Sequence, residues 1–373
     1  LASARALIDV HKPGRDTDPG DLARFATPAH RSLIFEELFG LQVGMRLRKR
    51  GRAKQRGVVI EESPQRVTSF LSSLPFTPTA AQLRSSAEVV ADMAATAPMN
   101  RLLHGDVGSG KTLVAFTAVV HAAAAGYQSA VMAPTELLAE QHFETMRPWS
   151  EGLGMSIALL TGAMPGGEAA KVRKRLGGGK VDLVVGTHAL VQESTSFARL
   201  GLAVVDEQHR FGVMQRAALG AGEVNTLLLS ATPIPRTLAL AIYGDVEVSM
   251  LDEMPPGRVP VVTKVLDGSS RERLHERMAA TMAKGHRCYI VYPLVEESEK
   301  VDLADASSMA ERLAKGPFKD FKVELLHGRM AAAEKDAVMR AFKAGEVDCL
   351  VATTVVEVGI DVPEATIMVV EHA

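Results

Sequence analysis

Short runs of apolar, mostly β-branched residues alternate along most of this 373-residue chain with longer segments in which apolar residues recur at helical spacing. Strands that alternate with helices predict parallel sheets covered on both faces. A stretch rich in proline and glycine at residues 255–260 divides these strands into two sets. The predicted strands are residues 100–104, 128–133, 156–160, 181–185, 202–205 and 226–229, and then 287–295, 322–326, 347–352 and 366–370. The pattern therefore predicts an α/β protein with two lobes in tandem.

The N-terminal residues follow a different pattern, which predicts a helical linker over 1–62. The two sets of strands then predict a first lobe over 63–254 and a second lobe over 255–373. Helical spacing from residue 27 to 49 predicts a helix with an apolar stripe to bury, formed by Leu33, Phe35, Leu38, Phe39 and Leu41. Seven Lys and Arg residues lie between 46 and 56. They fit either cations at a helix C-terminus or a strip that contacts phosphates.

Composition adds little about partners, because 42 Lys and Arg balance 44 Asp and Glu. The only two cysteines, Cys288 and Cys349, lie in apolar runs without metal-ligand spacing, which predicts buried thiols and no structural metal. No apolar stretch approaches the roughly 20 residues that span a bilayer, and the N-terminal residues lack the charged-then-apolar order of a signal peptide. We therefore expect a cytoplasmic protein with no membrane partner.

Residues 105–112, Gly-Asp-Val-Gly-Ser-Gly-Lys-Thr, fit the P-loop pattern between a predicted strand and a predicted helix. Glycines let successive main-chain amides approach phosphates, and the helix N-terminus that follows favours an anion. Lys111 is expected to neutralise the β and γ oxygens, and the Thr112 hydroxyl to bind Mg²⁺. The other predicted nucleotide contacts here are Gly105, Gly108, Ser109 and Gly110.

An acidic pair, Asp206 and Glu207, follows the buried run 202–205, about a hundred residues after the P-loop. Two acids after a strand are often only a solvated strand end. A P-loop in the same sheet favours a catalytic role instead: Asp206 in the magnesium shell, and Glu207 as the group that orients and deprotonates the attacking water. The two elements together predict a site for ATP and Mg²⁺.

Asp206, Glu207, Gln208 and His209 resemble the DExH box of superfamily 2 helicases, and the resemblance continues in the expected order from Phe76 to Asp361. It implies two RecA-like lobes that share one ATP and close around it. It also implies that Gln82 reads the adenine edge and that Phe76 stacks on the ring, although core packing is an alternative for Phe76. Further nucleotide contacts implied by the resemblance are Gln208, His209, Gly359 and Asp361.

The same resemblance implies a nucleic-acid path along the ends of several strands, where main-chain amides and hydroxyls touch phosphates without reading bases. Ser230 and Thr232 correspond to the family's motif that couples hydrolysis to lobe movement. The implied nucleic-acid contacts are Thr135, Thr161, Gly162, Thr187, Gly328, Arg329, Thr353 and Thr354.

Within the superfamily, residues 105–112, 206–213 and 231–238 look like those of RecG-type helicases, and residues 28–42 are similar to the helix that links their DNA-binding wedge to the motor. This resemblance implies remodelling of branched DNA, such as stalled forks and Holliday junctions, in recombination and repair near the bacterial nucleoid. The family's wedge and its arginine-rich motif VI do not match any residues here. We therefore interpret the sequence as a fragment with little ATP turnover by itself.

Three other functions fit part of the pattern. A transcription-repair coupling motor, which translocates on duplex DNA, has closely related motifs. A P-loop phosphotransferase that acts on a metabolite would explain the phosphate site but not the second lobe. A fragment that binds nucleotide without doing work is the third.

Overall fold

A computed structural model describes residues 3–52, 56–61, 64–206, 223–231, 246–256, 261–292, 299–353 and 361–371. The chain separates into two compact units: Leu1–Pro134 with His142–Pro256, and Thr135–Gln141 with Gly257–Ala373. Each unit contains its own parallel sheet, so the prediction of two RecA-like lobes is confirmed. The exact domain boundaries stay a prediction. In the described part of the chain, no helix is both long enough and apolar enough to cross a membrane.

Seven parallel strands form the sheet of the first unit. They are β1 (Asn100–Gly105), β2 (Gln128–Met132), β3 (Ile157–Leu160), β4 (Leu183–Gly186), β5 (Leu200–Val205), β6 (Asn225–Ser230) and β7 (Glu247–Leu251). Their order across the sheet is β3-β4-β2-β5-β6-β1-β7. The six predicted strands of this lobe are confirmed within two residues at each end, whereas β7 was not predicted.

The unpredicted strand β7 is held at the sheet edge by a polar cluster as well as by its backbone pairing with β1. Arg101 in β1 is 8% exposed and donates to Asp92 at 2.8 Å, to Glu88 at 3.2 Å and to the Ser249 hydroxyl of β7 at 2.8 Å. A nearly buried guanidinium requires such partners, because an unpaired one is strongly destabilising. The position of β7 thus depends on contacts between residues that are distant in the sequence.

The described residues up to the end of the first sheet form eight helices, of which the seventh begins in the segment 135–141 that groups with the second unit. They are α1 (Ser3–His11), α2 (Pro19–Ala23), α3 (Pro28–Arg52), α4 (Pro64–Ser73), α5 (Ala80–Met93), α6 (Lys111–Ala124), α7 (Glu136–Gly152) and α8 (Gly166–Gly177). The helix after the P-loop, α6, is buried on nearly all sides from Leu113 to Ala122, since it packs against α4, α5 and the sheet. Its Phe116 ring lies 5.0 Å from Phe70 and 5.2 Å from Trp149. This apolar packing fixes the helix that the P-loop precedes.

The long helix α3 forms as predicted, but most of its apolar stripe is not buried. Its N-terminus is capped by Thr27, whose hydroxyl accepts from the amide of His30 at 3.3 Å. Phe35 is 65% exposed and Phe39 57% exposed, and Leu38 and Leu41 are also exposed. The expectation of a buried stripe was wrong for these four residues, because the described part of the chain covers α3 only partly, with α1 packed along it.

Four parallel strands, all of them predicted, form the sheet of the second unit. They are β8 (Arg287–Tyr292), β9 (Val323–Leu326), β10 (Cys349–Thr353) and β11 (Ala365–Val370), in the order β11-β8-β10-β9. The described helices of this unit are α9 (Arg271–Met282), α10 (Glu299–Lys315) and α11 (Ala332–Ala344). Alternate residues of β8 face opposite sides: Ile290 belongs to one apolar cluster, and Tyr289 to another, where its ring lies 4.7 Å from Phe342.

Both cysteines are free and buried, as predicted. Cys288 and Cys349 are register partners on β8 and β10 inside the second sheet. Burial raises the pKa of Cys288 to about 12 and raises the pKa of Cys349 as well. Neither residue therefore forms a reactive thiolate at neutral pH.

Candidate active site

The P-loop forms the turn between β1 and α6. Gly108 and Gly110 have φ angles of 79° and 89°, which residues with a side chain rarely adopt. Gly110 is the N-cap of α6 and makes no side-chain capping bond. The first amides of α6 therefore have no capping side chain, and the positive end of the helix dipole is available to an anion.

The P-loop is also held closed by its own side chains. Lys111 Nζ donates to the carbonyl oxygens of Gly105 at 2.8 Å and Asp106 at 3.0 Å. The buried hydroxyl of Ser109 sits over Gly105, where an added Cβ would be only 2.6 Å from Oγ. Gly105 is therefore required by close packing, and Lys111 lies beside the turn that is predicted to hold the phosphates.

Gln82 joins the start of α5 to the P-loop. Its Oε1 accepts from the amide of Thr79 at 2.9 Å, while the Thr79 hydroxyl accepts from the amide of Gln82 at 3.2 Å, which makes a capping box. Its Nε2 donates to the carbonyl of Ser109 at 2.8 Å. The structure thus places Gln82 against the P-loop, and the predicted reading of adenine by its amide stays a prediction.

Phe76 precedes α5 and is 48% exposed, so it is not a core residue. Core packing was the alternative to a stacking role for this ring. An exposed aromatic ring before Gln82 is compatible with stacking on a base, which stays a prediction.

Asp206 follows β5, on the side of the sheet where the carboxyl ends of all the parallel strands lie. Its amide donates to the carbonyl of Met132 at the end of β2, at 2.9 Å, and the residue is 9% exposed. His142 Nε2 lies 2.6 Å from Asp206 Oδ2. No motif or spacing in the sequence indicates this contact, since a lone histidine on α7 lies 64 positions away from Asp206.

Thr112 and Asp206 offer a hydroxyl and a carboxylate, the hard oxygen donors that Mg²⁺ prefers. Among the described residues, no group of three or more His, Cys, Asp or Glu side chains is placed to hold a metal. Magnesium that is bound together with nucleotide phosphates needs only one or two protein carboxylates. The donor set therefore fits a magnesium ion that binds with ATP.

The predicted residues differ in how accessible they are. Ser230 ends β6, the strand between β5 and β1, and is 5% exposed. Thr161, Thr187 and Thr353 are buried, so direct phosphate contacts by their hydroxyls require local rearrangement. Thr135 is half-buried, and the accessible residues of the set are Gly162, Gly328, Arg329 and Asp361. Glu207, Gln208, His209, Thr232, Thr354 and Gly359 lie outside the described residues.

Comparisons with known proteins match both lobes. The DEAD/DEAH box helicase family matches residues 81–241, and the helicase conserved C-terminal domain matches residues 270–373. The structure of Mss116p bound to single-stranded RNA and AMP-PNP is 17% identical in sequence, with a TM-score of 0.58 over 83% of this chain and 66% of Mss116p. At this identity the likeness shows only that the two proteins share a fold. The two family matches define the class: a two-lobed protein of the DEAD/DEAH box helicase type.

Higher identity narrows the class. The ATP-dependent DNA helicases RecG of Synechocystis and of Aquifex aeolicus are 44% and 45% identical, each over 99% of this chain and over 44% and 47% of their own lengths. RecG bound to a three-way DNA junction is 43% identical with a TM-score of 0.79, over 91% of this chain and 45% of that one. The chain belongs to the RecG family of ATP-dependent DNA helicases. It spans about half the length of the curated relatives it matches.

Proposed function

We propose that this chain is the motor of an ATP-driven DNA helicase that remodels branched DNA, such as stalled forks and Holliday junctions, in recombination and repair. The observation that carries the proposal is that the P-loop turn and Asp206 both lie at the carboxyl ends of strands in one parallel sheet. The chain that contains them is more than 40% identical to RecG helicases over nearly its whole length. A relative with the same fold binds a three-way DNA junction.

In this proposal the residues of the first lobe bind and orient the nucleotide. The open N-terminus of α6 and Lys111 hold the phosphates, while Thr112 and Asp206 provide oxygen ligands for Mg²⁺. Bound magnesium would neutralise charge on the phosphate oxygens. Glu207 accepts the proton of the attacking water, a role inferred from sequence. Cytoplasmic localisation remains part of the proposal.

Contacts to DNA are proposed for the accessible motif residues, which are Gly162 of the first lobe and Gly328 and Arg329 of the second. Arg329 can pair with a phosphate, whereas glycines allow the backbone to approach the strand. Such contacts position DNA without reading its sequence. They suit a motor whose substrate is defined by branching rather than by bases.

The experiment measures binding first, since the sequence predicts little turnover by this chain itself. A labelled three-way junction, a linear duplex of equal length and a single strand are titrated with the chain, with and without a non-hydrolysable ATP analogue. We expect the analogue to change junction affinity by about fivefold or more, which is the usual size of coupling between two sites. Equal affinity for all three DNAs, unaffected by nucleotide, contradicts the proposal.

Glu207→Gln separates binding from hydrolysis. The amide fills the same space but cannot accept a proton, so ATP affinity should be retained while turnover falls by about a hundredfold or more. Calorimetry and a phosphate-release assay measure the two quantities in a longer RecG-type chain that includes motif VI, because little turnover is expected of these 373 residues by themselves. A parallel loss of both means that Glu207 supports the structure instead.

A further inference from the structure

The contact between His142 and Asp206 joins two elements of the first lobe that sequence motifs treat separately. The His142 side chain lies on α7 and is 10% exposed, and the Asp206 side chain follows β5 and is 12% exposed. Nε2 and Oδ2 are 2.6 Å apart. A buried contact this short is a strong hydrogen bond to a charged group.

The direction of the bond follows from the chemistry of the acceptor. An ionised carboxylate can only accept, so the imidazole carries its proton on Nε2 and donates it. A carboxylate has about four acceptor positions on its two oxygens. The bond to Oδ2 orients the Asp206 side chain and uses one of these positions.

We infer that His142 is a positioning residue for the magnesium site, which holds Asp206 in the orientation that the metal requires. The inference rests on the proposed nucleotide site. Partners that orient a metal ligand through a hydrogen bond contribute about 10- to 100-fold to metal affinity. Without His142, Asp206 would have to be ordered when the metal binds, and the entropy of that ordering would weaken binding.

His142 is positioned by helix α7. Helix α7 begins at Glu136, directly after Thr135. Amides of its first turn donate to the hydroxyl and to the carbonyl of Thr135. His142 lies about two helical turns further on. The simpler alternative is a buried histidine that merely satisfies its own hydrogen bonding.

The test compares three variants of the 373-residue chain. His142→Gln keeps an amide donor at similar reach, His142→Leu removes the donor while filling the space, and His121→Leu is the matched control. His121 is another buried histidine of the same lobe, bonded to the carbonyl of Ile60 at 3.3 Å. Calorimetry measures ATP affinity in magnesium and in EDTA, and circular dichroism confirms that each variant is folded.

The magnesium-dependent gain in ATP affinity is the quantity of interest. It should fall about tenfold or more in His142→Leu, recover to within about threefold of wild type in His142→Gln, and persist in His121→Leu. Affinity in EDTA should be the same in all variants, because the P-loop is unchanged.

Each other outcome overturns the inference in a recognisable way. An unchanged magnesium gain in His142→Leu means that the histidine does not position Asp206. An equal loss in His142→Gln and His142→Leu means that the ring acts by packing. If the wild-type chain binds ATP in EDTA but gains nothing from magnesium, the proposed magnesium site itself is wrong and the positioning role falls with it.

Discussion

Each lobe has a turn that joins a parallel strand to a helix. The two turns differ in how much room the helix N-terminus leaves for an anion. In the first lobe, Gly110 starts α6 without any capping side chain. In the second lobe, the N-cap of α11, Ala331, likewise makes no side-chain capping bond, but Glu334 Oε2 accepts from the amide of Ala331 at 3.1 Å. A carboxylate already occupies the positive end of α11, so a phosphate has no comparable place there.

The lysines of the two turns sharpen the contrast. Lys111 Nζ and Lys335 Nζ each donate to a carbonyl of the preceding loop at 2.8 Å, to Gly105 and Gly328 respectively. Similar bonds in similar folds therefore do not define a phosphate site. What distinguishes the first lobe is the pair of positive-φ glycines, followed by a helix with no acidic side chain in its first turn. The predicted phosphate site is therefore a property of this turn and not of the α/β fold.

The largest effect is expected for Lys111→Ala. The change removes a cation from the turn that is predicted to hold the β and γ phosphates, and a hydrogen bond to a charged group contributes about 1.5–3 kcal/mol. ATP affinity, measured by calorimetry in magnesium, should fall by about ten- to a hundredfold. Lys335→Ala is the matched control and should leave affinity unchanged. Equal losses in the two variants would remove the distinction between the turns.

Gly110→Ala tests the backbone of the same turn. Alanine at a φ of 89° is strained by about 1–2 kcal/mol, and its Cβ would clash with Gln82 Nε2. We expect ATP to bind about tenfold more weakly. Gly154 also has positive φ, at 68°, but nothing lies within 4 Å of an added Cβ. Gly154→Ala should therefore reduce stability slightly and leave ATP affinity intact, and a similar affinity loss in both would show that strain alone is responsible.

Much of the fold could be predicted because its signals are local. Ten strands were recognisable as short β-branched runs between helical segments, and the P-loop as a spacing of glycines before Lys-Thr. The edge strand β7 lacked such a signal, since its position depends on Arg101 and Ser249, which are 148 positions apart. Burial of α3 could not be predicted either, because periodicity shows which face is apolar but not what covers it.

The candidate site shows the same division. The residue types and spacing of the P-loop and the acidic pair indicated the nucleotide chemistry. The bond between His142 and Asp206 and the bond from Gln82 to Ser109 arise only when distant segments fold together. Threonine and glutamine three positions apart, Thr79 and Gln82, are the sequence signature of a capping box. The capping role of Gln82 is therefore a local signal, whereas its bond to the P-loop is not.

The smallest effect is expected at the capped turn of the second lobe. Glu334→Ala removes the carboxylate from the N-terminus of α11, which is exposed and should lose about 0.5–1 kcal/mol of local stability. Amides in the first turn of α11 should exchange hydrogen about two- to fivefold faster, as mass spectrometry can resolve. Glu311→Ala, which removes an exposed ion pair with Lys315 on α10, should leave those amides unchanged.

The Glu334→Ala change should not create a second nucleotide site, because the β9–α11 turn still lacks the positive-φ glycines of the P-loop. If Glu334→Ala restored ATP binding to the Lys111→Ala variant, an open helix N-terminus would be sufficient for binding and the glycines would not be the deciding difference.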